Sequence, residues 1–338
     1  MNICLLGDME DLAAAYVGWL ARVRGHRVLQ LPEGTLGAEW SYEIDDCGEG
    51  TLRVGDARLS WREIDGVFVR LNPQPPTPEG LTLDPARHIA FLHERRHGLH
   101  QLLEAIRAPV INRPSAGRSN ASKPAQMVEL ANAGFDVPKW IVTSSPMRAR
   151  EFVAHCEHGA IYKACSGLRS RVRKVDTSLW GRLANGTTPT LIQEYVPGTD
   201  VRIHTVADRA FACEVAGAHG VDYRFEHDGA QYAPTSVPPT LAAACCEFAR
   251  NAGLTLAGFD FRVTPDRRWW CLEMNPVPSF LSYEFTAGLP IGEAVLDAME
   301  HGYAPRGLDT ARLPPAAVER HDVGRATTST TVTGCPSP

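Results

Sequence analysis

Nine cysteines are present, yet none forms a C-x-x-C pair, the count is odd, and Cys245 and Cys246 stand side by side in an apparent helix. That usage suits buried thiols and argues against a disulfide-stapled scaffold. No apolar run reaches the roughly 20 residues that a bilayer span needs, the longest being Leu12 to Ala21. Positive charge is not in excess: 34 Lys and Arg against 39 Asp and Glu give a formal charge of −5, which makes no electrostatic case for a dedicated nucleic-acid binder. The first residues hold Asp8, Glu10 and Asp11 with no basic start and no small-residue cleavage pattern. This argues against a secretory signal and leads to the expectation of a cytoplasmic protein. His155, His158, His204 and His219 lack metal-ligand spacing and read as surface or core residues. Gly7-Asp8 offers a single glycine where phosphate-binding fingerprints need several in register, so it reads as a structural turn.

What is there is an ordinary globular composition, 44% hydrophobic and 22% charged, over 338 residues, more than one compact core usually holds. Residues 1–115 alternate strand and helix: an apolar run at Asn2–Leu6, helical spacing over Asp11–Arg24, strands at Val28–Leu31 and Gly66–Val69, hairpin-like runs over 33–60, a proline-dense loop Asn72–Gly80, and a helix Pro85–Arg107. This reads as a small α/β domain. Residues 116–190 follow as helix Lys123–Asn132, strand Trp140–Thr143, helix Pro146–His155 and strand Ala160–Ala164, then the polar segment Cys165–Lys174. Residues 191–304 are strand-rich, with helix Pro239–Asn251 between strands and Pro290–His301 closing the fold. Residues 305–338 lack core-forming periodicity and read as a disordered tail.

The sharpest chemical signal is Gly258-Phe-Asp260-Phe-Arg262 followed by Trp270-Cys-Leu-Glu273-Met-Asn275-Pro276, two runs joined by the turn Thr264-Pro-Asp-Arg. Period two puts Glu273 and Asn275 on one face, and a hairpin brings Asp260 opposite them. Two carboxylates and an amide oxygen make a hard-oxygen site suited to Mg2+; the plainer alternative is a solvated edge hairpin. The apolar neighbours of Asp260 and Glu273 imply burial, and buried carboxylates need a cation. A second signal, Gln193-Glu194-Tyr195-Val196-Pro197-Gly198-Thr199-Asp200-Val201-Arg202, runs a strand into a Pro-Gly turn and out again. It can present one carboxylate with backbone groups to an adenine edge and a second carboxylate to ribose hydroxyls, although Pro-Gly-x-Asp is also a common turn. Lys123 opens a helix and Lys163 ends a strand.

The order of these residues resembles the ATP-grasp superfamily over roughly residues 110–303, with RimK-type glutamate ligases and the maturases of microviridin or graspetide peptides as the branches most alike. Lys123, Lys163, Gln193-Glu194-Tyr195, Asp200-Val-Arg202, Asp222-Tyr-Arg224, Asp260 and Glu273-x-Asn275 follow the RimK-type order. Val137-Pro-Lys-Trp-Ile-Val-Thr143, Asp222-Tyr-Arg224, Glu273-Met-Asn-Pro-Val-Pro278 and Gly288-Leu-Pro-Ile291 give the peptide-maturase flavour. The resemblance implies an α/β ATP-grasp fold in which a small N-terminal domain precedes two lobes that clamp ATP. It implies that Lys123 and Lys163 contact phosphates, that Glu194 with the Tyr195–Val196 backbone holds adenine, and that Asp200 holds ribose. Arg224 would lie at the γ-phosphate, Arg202 would help hold a substrate carboxylate, and Asp260, Glu273 and Asn275 would hold Mg2+, with Mn2+ as the alternative cation. One departure stands out: the phosphate-covering loop is usually glycine-rich, whereas Cys165–Arg173 has one glycine and three arginines. Arg169, Arg171 and Arg173 either replace backbone donors with guanidinium groups or form an exposed basic hairpin.

The implied activity is a carboxylate ligase that passes through an acyl phosphate and joins the carboxylate to an amine or hydroxyl, with a precursor peptide as the favoured substrate. The alternatives are a ligase of free amino acids such as glutamate, a non-catalytic ATP-binding regulator resembling synapsin, and an ATP-grasp kinase. The expected partners are ATP and the two substrates, with neither nucleic acid nor membrane, and a homodimer is compatible with the reading.

Overall fold

The computed structural model describes residues 1–7, 10–46, 49–72, 77–78, 81–165, 172–184, 188–217, 231–303 and 305. The first apolar run forms β1 (Asn2–Gly7) and the periodic stretch after it forms α1 (Leu12–Val23), which Asp11 caps by accepting from the Ala14 amide at 2.9 Å. Next come β2 (Arg27–Pro32) and an antiparallel meander of β3 (Trp40–Ile44), β4 (Gly50–Val54) and β5 (Ala57–Ser60), the hairpins expected over 33–60. β6 (Gly66–Arg70), α2 (Pro85–Ala105) and β7 (Val110–Ile111) follow, and β2-β1-β6-β7 form a parallel sheet. The helix expected to reach Arg107 stops at Ala105. Ile106 turns to extended backbone, and the Arg113 guanidinium donates to the carbonyls of Leu103, Ile106 and Ala108, satisfying groups the helix end leaves open. Gly7 is structural, as expected: its φ is +144°, and a Cβ there would lie 2.1 Å from the Arg70 carbonyl oxygen of β6.

The second group comprises α3 (Lys123–Asn132), β8 (Trp140–Thr143), α4 (Pro146–Ala154), β9 (Ala160–Lys163), β10 (Arg173–Lys174), α5 (Thr177–Ala184) and β11 (Thr190–Glu194). Its sheet runs β10-β9-β11-β8, antiparallel throughout. One face packs under α4 and α5 through Ala149, Tyr162, Leu179, Leu183 and Ile192. Proline in the first turn starts α2, α3 and α4, with Asp84, Ser122 and Ser145 as their caps.

The third group is β12 (Thr199–Val206), β13 (Arg209–Ala216), β14 (Gln231–Pro234), α6 (Pro239–Asn251), β15 (Leu256–Val263), β16 (Trp269–Asn275), α7 (Leu281–Ala287) and α8 (Ile291–Glu300). Its antiparallel sheet runs β14-β13-β12-β15-β16. One face is apolar: Val201, Ile203, Phe259, Phe261, Cys271 and Met274 pack with Cys245 and Ala249 of α6 and with Phe135. Cys245 and Cys246 are buried free thiols, in line with the sequence. α7 and α8 lie against the N-terminal group, sharing one core with β1 and α1 through Val17, Leu20, Ile291, Val295 and Leu296. Gly292 permits that approach, since a Cβ there would sit 2.7 Å from the Tyr16 ring. Arg24 at the end of α1 pairs with Glu293, with Asp297 at 2.8 Å and with Glu300 at 3.0 Å. No described helix is long and apolar enough to cross a membrane. The tail expected beyond 305 lies outside the described residues.

Candidate active site

Strand register gathers the predicted residues. β12 and β15 pair Asp200 with Arg262 and Arg202 with Asp260, while β15 and β16 pair Asp260 with Glu273 and Gly258 with Asn275. Cross-strand partners share a face, so these charged groups all stand on the side opposite the apolar core. A register shift after Asp260 sets Phe261 against Cys271 and leaves Leu272 as the extra residue. This bulge lets Cys271 and Met274 both fill the core while Glu273 keeps to the polar face.

The charges neutralise one another across elements. Arg202 Nη1 lies 2.7 Å from Asp260 Oδ1, with both side chains largely buried. Gly258 makes room for it: a Cβ there would fall 2.3 Å from Arg202 Nη2 and 2.8 Å from Pro278 Cβ. Lys123 Nζ donates to Glu273 Oε2 at 2.6 Å, and Lys163 Nζ stands 3.9 Å from the same oxygen. A lysine in the first turn of a helix opposes the helix dipole, so the Lys123 position favours an anion nearby, and in this structure Glu273 supplies it. Gln126, one turn further along α3, fixes the arrangement: its amide donates to the Met274 carbonyl at 2.7 Å and accepts from the Met274 N–H at 2.9 Å.

Of the three residues expected to hold Mg2+, Asp260 pairs with Glu273 across the hairpin, and Asn275 stands two residues beyond Glu273 on the same strand. Among the described residues no three His, Cys, Asp or Glu side chains are grouped as a metal site, and the Asn275 side-chain oxygen accepts from the Val277 N–H at 2.9 Å. The residues fit a hard divalent cation: two largely buried carboxylates sit side by side, and both already draw cationic side chains.

β11 leads into the turn that joins the two antiparallel sheets. Glu194 pairs with Ala160, on the face that Tyr162 and Ile192 bury under α4 and α5. Burial, reinforced by the Glu194 charge, pushes the Cys156 thiol up. Asp200 is gripped by Arg262, Nε to Oδ1 at 2.7 Å and Nη2 to Oδ2 at 3.0 Å. The Tyr195 ring is flanked by Lys174 at 5.4 Å and the Arg262 guanidinium at 5.6 Å. Arg173 is exposed on β10. Arg169, Arg171, Asp222 and Arg224 fall outside the described residues.

Sequence reasoning missed Arg262, Gln126 and Asn112. The Asn112 amide donates to the carbonyls of Leu256 at 2.6 Å and Pro276 at 2.7 Å, and accepts from the amides of Thr255 and Leu256. It thereby fastens the chain just after β7 to the open end of the β15–β16 hairpin. His204, read as a surface or core residue, is fully buried on the polar face beside Arg202; its Nε2 donates to the Ser279 carbonyl at 3.1 Å.

No protein-family model and no curated protein matches this chain. Solved structures do. The macrocyclase MdnC of Microcystis aeruginosa, bound to the precursor peptide MdnA, superposes with a TM-score of 0.77 at 20% identity over 89% of this chain and 100% of that one. The ATP-grasp ligase PsnB, complexed with a minimal precursor variant, Mg and ADP, gives 0.75 at 24% identity over 88% and 97%. A RimK-domain ATP-grasp protein of Sphaerobacter thermophilus gives 0.55 at 15% identity over 89% and 100%. The chain has the ATP-grasp fold.

Proposed function

We propose that this ATP-grasp chain is an ATP-dependent carboxylate ligase that acts on a peptide. The observation that carries the reading is the convergence of Lys123, Lys163 and Arg202 on Asp260 and Glu273, at one face of the sheet. Such a cluster neutralises a triphosphate and the charge developing on its transferred phosphoryl group, and asks for no protein nucleophile. In this reading a substrate carboxylate oxygen attacks the γ-phosphorus and the bond to the bridging β–γ oxygen breaks, releasing ADP. An amine or hydroxyl then attacks the acyl carbon, the acyl C–O bond breaks, phosphate leaves, and the nucleophile's proton passes to solvent.

Lys163 and Lys123 would exchange Glu273 for phosphate oxygens. Arg202 would turn from Asp260 to the substrate carboxylate, and Arg224 would act at the γ-phosphate. Backbone groups of Glu194, Tyr195 and Val196 would meet adenine and Asp200 would meet ribose. Asp260, Glu273 and Asn275 would hold Mg2+, which supplies charge neutralisation at the phosphates, and Mn2+ is the cation to try second. A peptide substrate is favoured over a free amino acid because the overlay is closer with ligases solved on precursor peptides than with the RimK-domain protein.

Hydroxylamine tests the reading. A mixed anhydride held away from water reacts with a small amine that fits the site, so ATP, Mg2+ and the correct carboxylate should yield a hydroxamate and ADP. Lys163→Met should abolish both while leaving a folded protein. Hydroxamate from acidic peptides but not from free glutamate or aspartate supports peptide modification, and the reverse supports a free amino-acid ligase. ATP binding without turnover across the panel points to a regulator, and a stable phosphorylated hydroxyl to a kinase.

A further inference from the structure

Arg262 is a buried, multiply bonded cation of the polar face and has no part in the mechanism above. It is 7% exposed. Its guanidinium takes both oxygens of Asp200, and its remaining nitrogen donates to the Gly198 carbonyl at 3.2 Å and to the Tyr195 hydroxyl at 3.4 Å. Burial pulls its pKa down, but the charge and hydrogen bonds of Asp200, together with Tyr195, more than offset this and the group stays charged. A buried cation left alone is costly, so the pair is mutually required.

Position gives the pair a purpose. Arg262 and Asp260 are two residues apart on β15 and share a face, which separates them by about 7 Å. One strand thus carries a carboxylate of the proposed metal site and, next to it, the group that fixes Asp200. The same guanidinium ties down the Tyr195–Gly198 turn, where Gly198 hugs β15 so closely that a Cβ would lie 2.3 Å from the Val263 carbonyl oxygen. A carboxylate offers about four acceptor positions and a bidentate guanidinium takes two of them in a fixed plane, so the pairing aims the carboxylate.

We propose that Arg262 is the positioning residue for sugar recognition. By clamping Asp200 it holds that carboxylate at the angle required by the vicinal hydroxyls of a ribonucleotide, and so makes the site select ribose over deoxyribose. The inference rests on the nucleotide reading above and adds to it a residue that touches no substrate.

Calorimetric binding of ADP and of 2′,3′-dideoxy-ADP, each with Mg2+, tests it. Hydrogen bonds to a charged acceptor predict that the wild-type protein favours ADP by about tenfold or more. Arg262→Lys keeps the charge and loses the fork, and should bring the preference to within about twofold while dideoxy-ADP binds as before. Arg262→Met should do the same, and the lysine variant serves if the methionine variant fails to fold. A purely structural role would weaken both nucleotides equally and leave the ratio intact. Asp200→Asn separates the two levels of the argument. If it abolishes the preference while Arg262→Lys retains it, Arg262 is not the positioning residue and the ribose reading stands. If Asp200→Asn retains the preference, or the wild-type protein shows none, the ribose reading falls and this inference with it.

Discussion

Lys123 Nζ and Glu273 Oε2 lie 2.6 Å apart although 150 positions separate the two residues in the chain. With Arg202 on Asp260, both acidic members of the proposed metal site are charge-balanced by the protein itself. A divalent cation arriving alone must compete with those cationic partners for the carboxylates, whereas one arriving with phosphates gives the partners new anions.

Metal affinity should therefore depend on nucleotide. Titration of Mg2+, or of Mn2+ followed by paramagnetic resonance, should show weak binding to the protein alone and binding at least tenfold tighter with ADP present. Lys123→Met should narrow that gap by tightening the metal-only binding. Glu273→Gln should lower turnover on the order of 10²–10³-fold, the usual effect of losing one preorganised electrostatic group. Turnover within a few-fold of wild type would remove Glu273 from the site.

Gly258→Ala places a methyl group where the Arg202 guanidinium lies. The side chain can swing away but Pro278 cannot, so the fold should survive with a loss of about 1–3 kcal/mol. The displaced guanidinium should cost about tenfold or more in turnover, with ADP affinity changed little. Denaturant melts and steady-state kinetics on one preparation read both effects, and an unchanged kcat would show that Arg202 has no role in the reaction.

His204 links stability to pH. Burial, together with the nearby Arg202 charge, holds its imidazole well below 6.5. Among the described residues its buried Nδ1 has no hydrogen-bond partner. The unfolded chain binds a proton near pH 6.5 that the folded protein refuses, so stability is complete above that value and is lost as the pH falls toward the depressed native one. Between pH 7 and 5.5 this amounts to about 1 kcal/mol. Urea unfolding of wild type and His204→Gln should differ in pH slope by that amount, the variant being the flatter. Parallel slopes would mean that the imidazole is protonated in the folded protein.

The β15–β16 hairpin is legible because its charged residues recur at period two between apolar ones, and its turn falls where Pro265 and Asp266 place it. The bulge at Leu272 leaves no trace in that alternation, since Cys271, Leu272 and Met274 are all apolar. Arg262 follows Asp260 by the same period and could have been read. Its meaning lies in Asp200, brought alongside by a strand pairing that no local pattern announces. Gln126 and Asn112 hold backbone rather than side chains, so neither has a complementary residue to betray it. In β11 two adjacent polar residues, Gln193 and Glu194, compete for the cleft, and only pairing with β9 decides between the faces. β10, α5 and α7 span eight residues or fewer, too short for periodicity to stand out from loop.

The packing of α8 upon α1 also sets a timetable for synthesis. Arg24 and Asp297 meet across 273 positions, which at ~5–20 residues per second takes a ribosome about 15–55 s to cover. Through that interval the faces of Val17 and Leu20 that later close against Ile291 and Val295 remain in water. A chain ending before α8 should therefore keep those apolar faces exposed and aggregate more readily than the full chain.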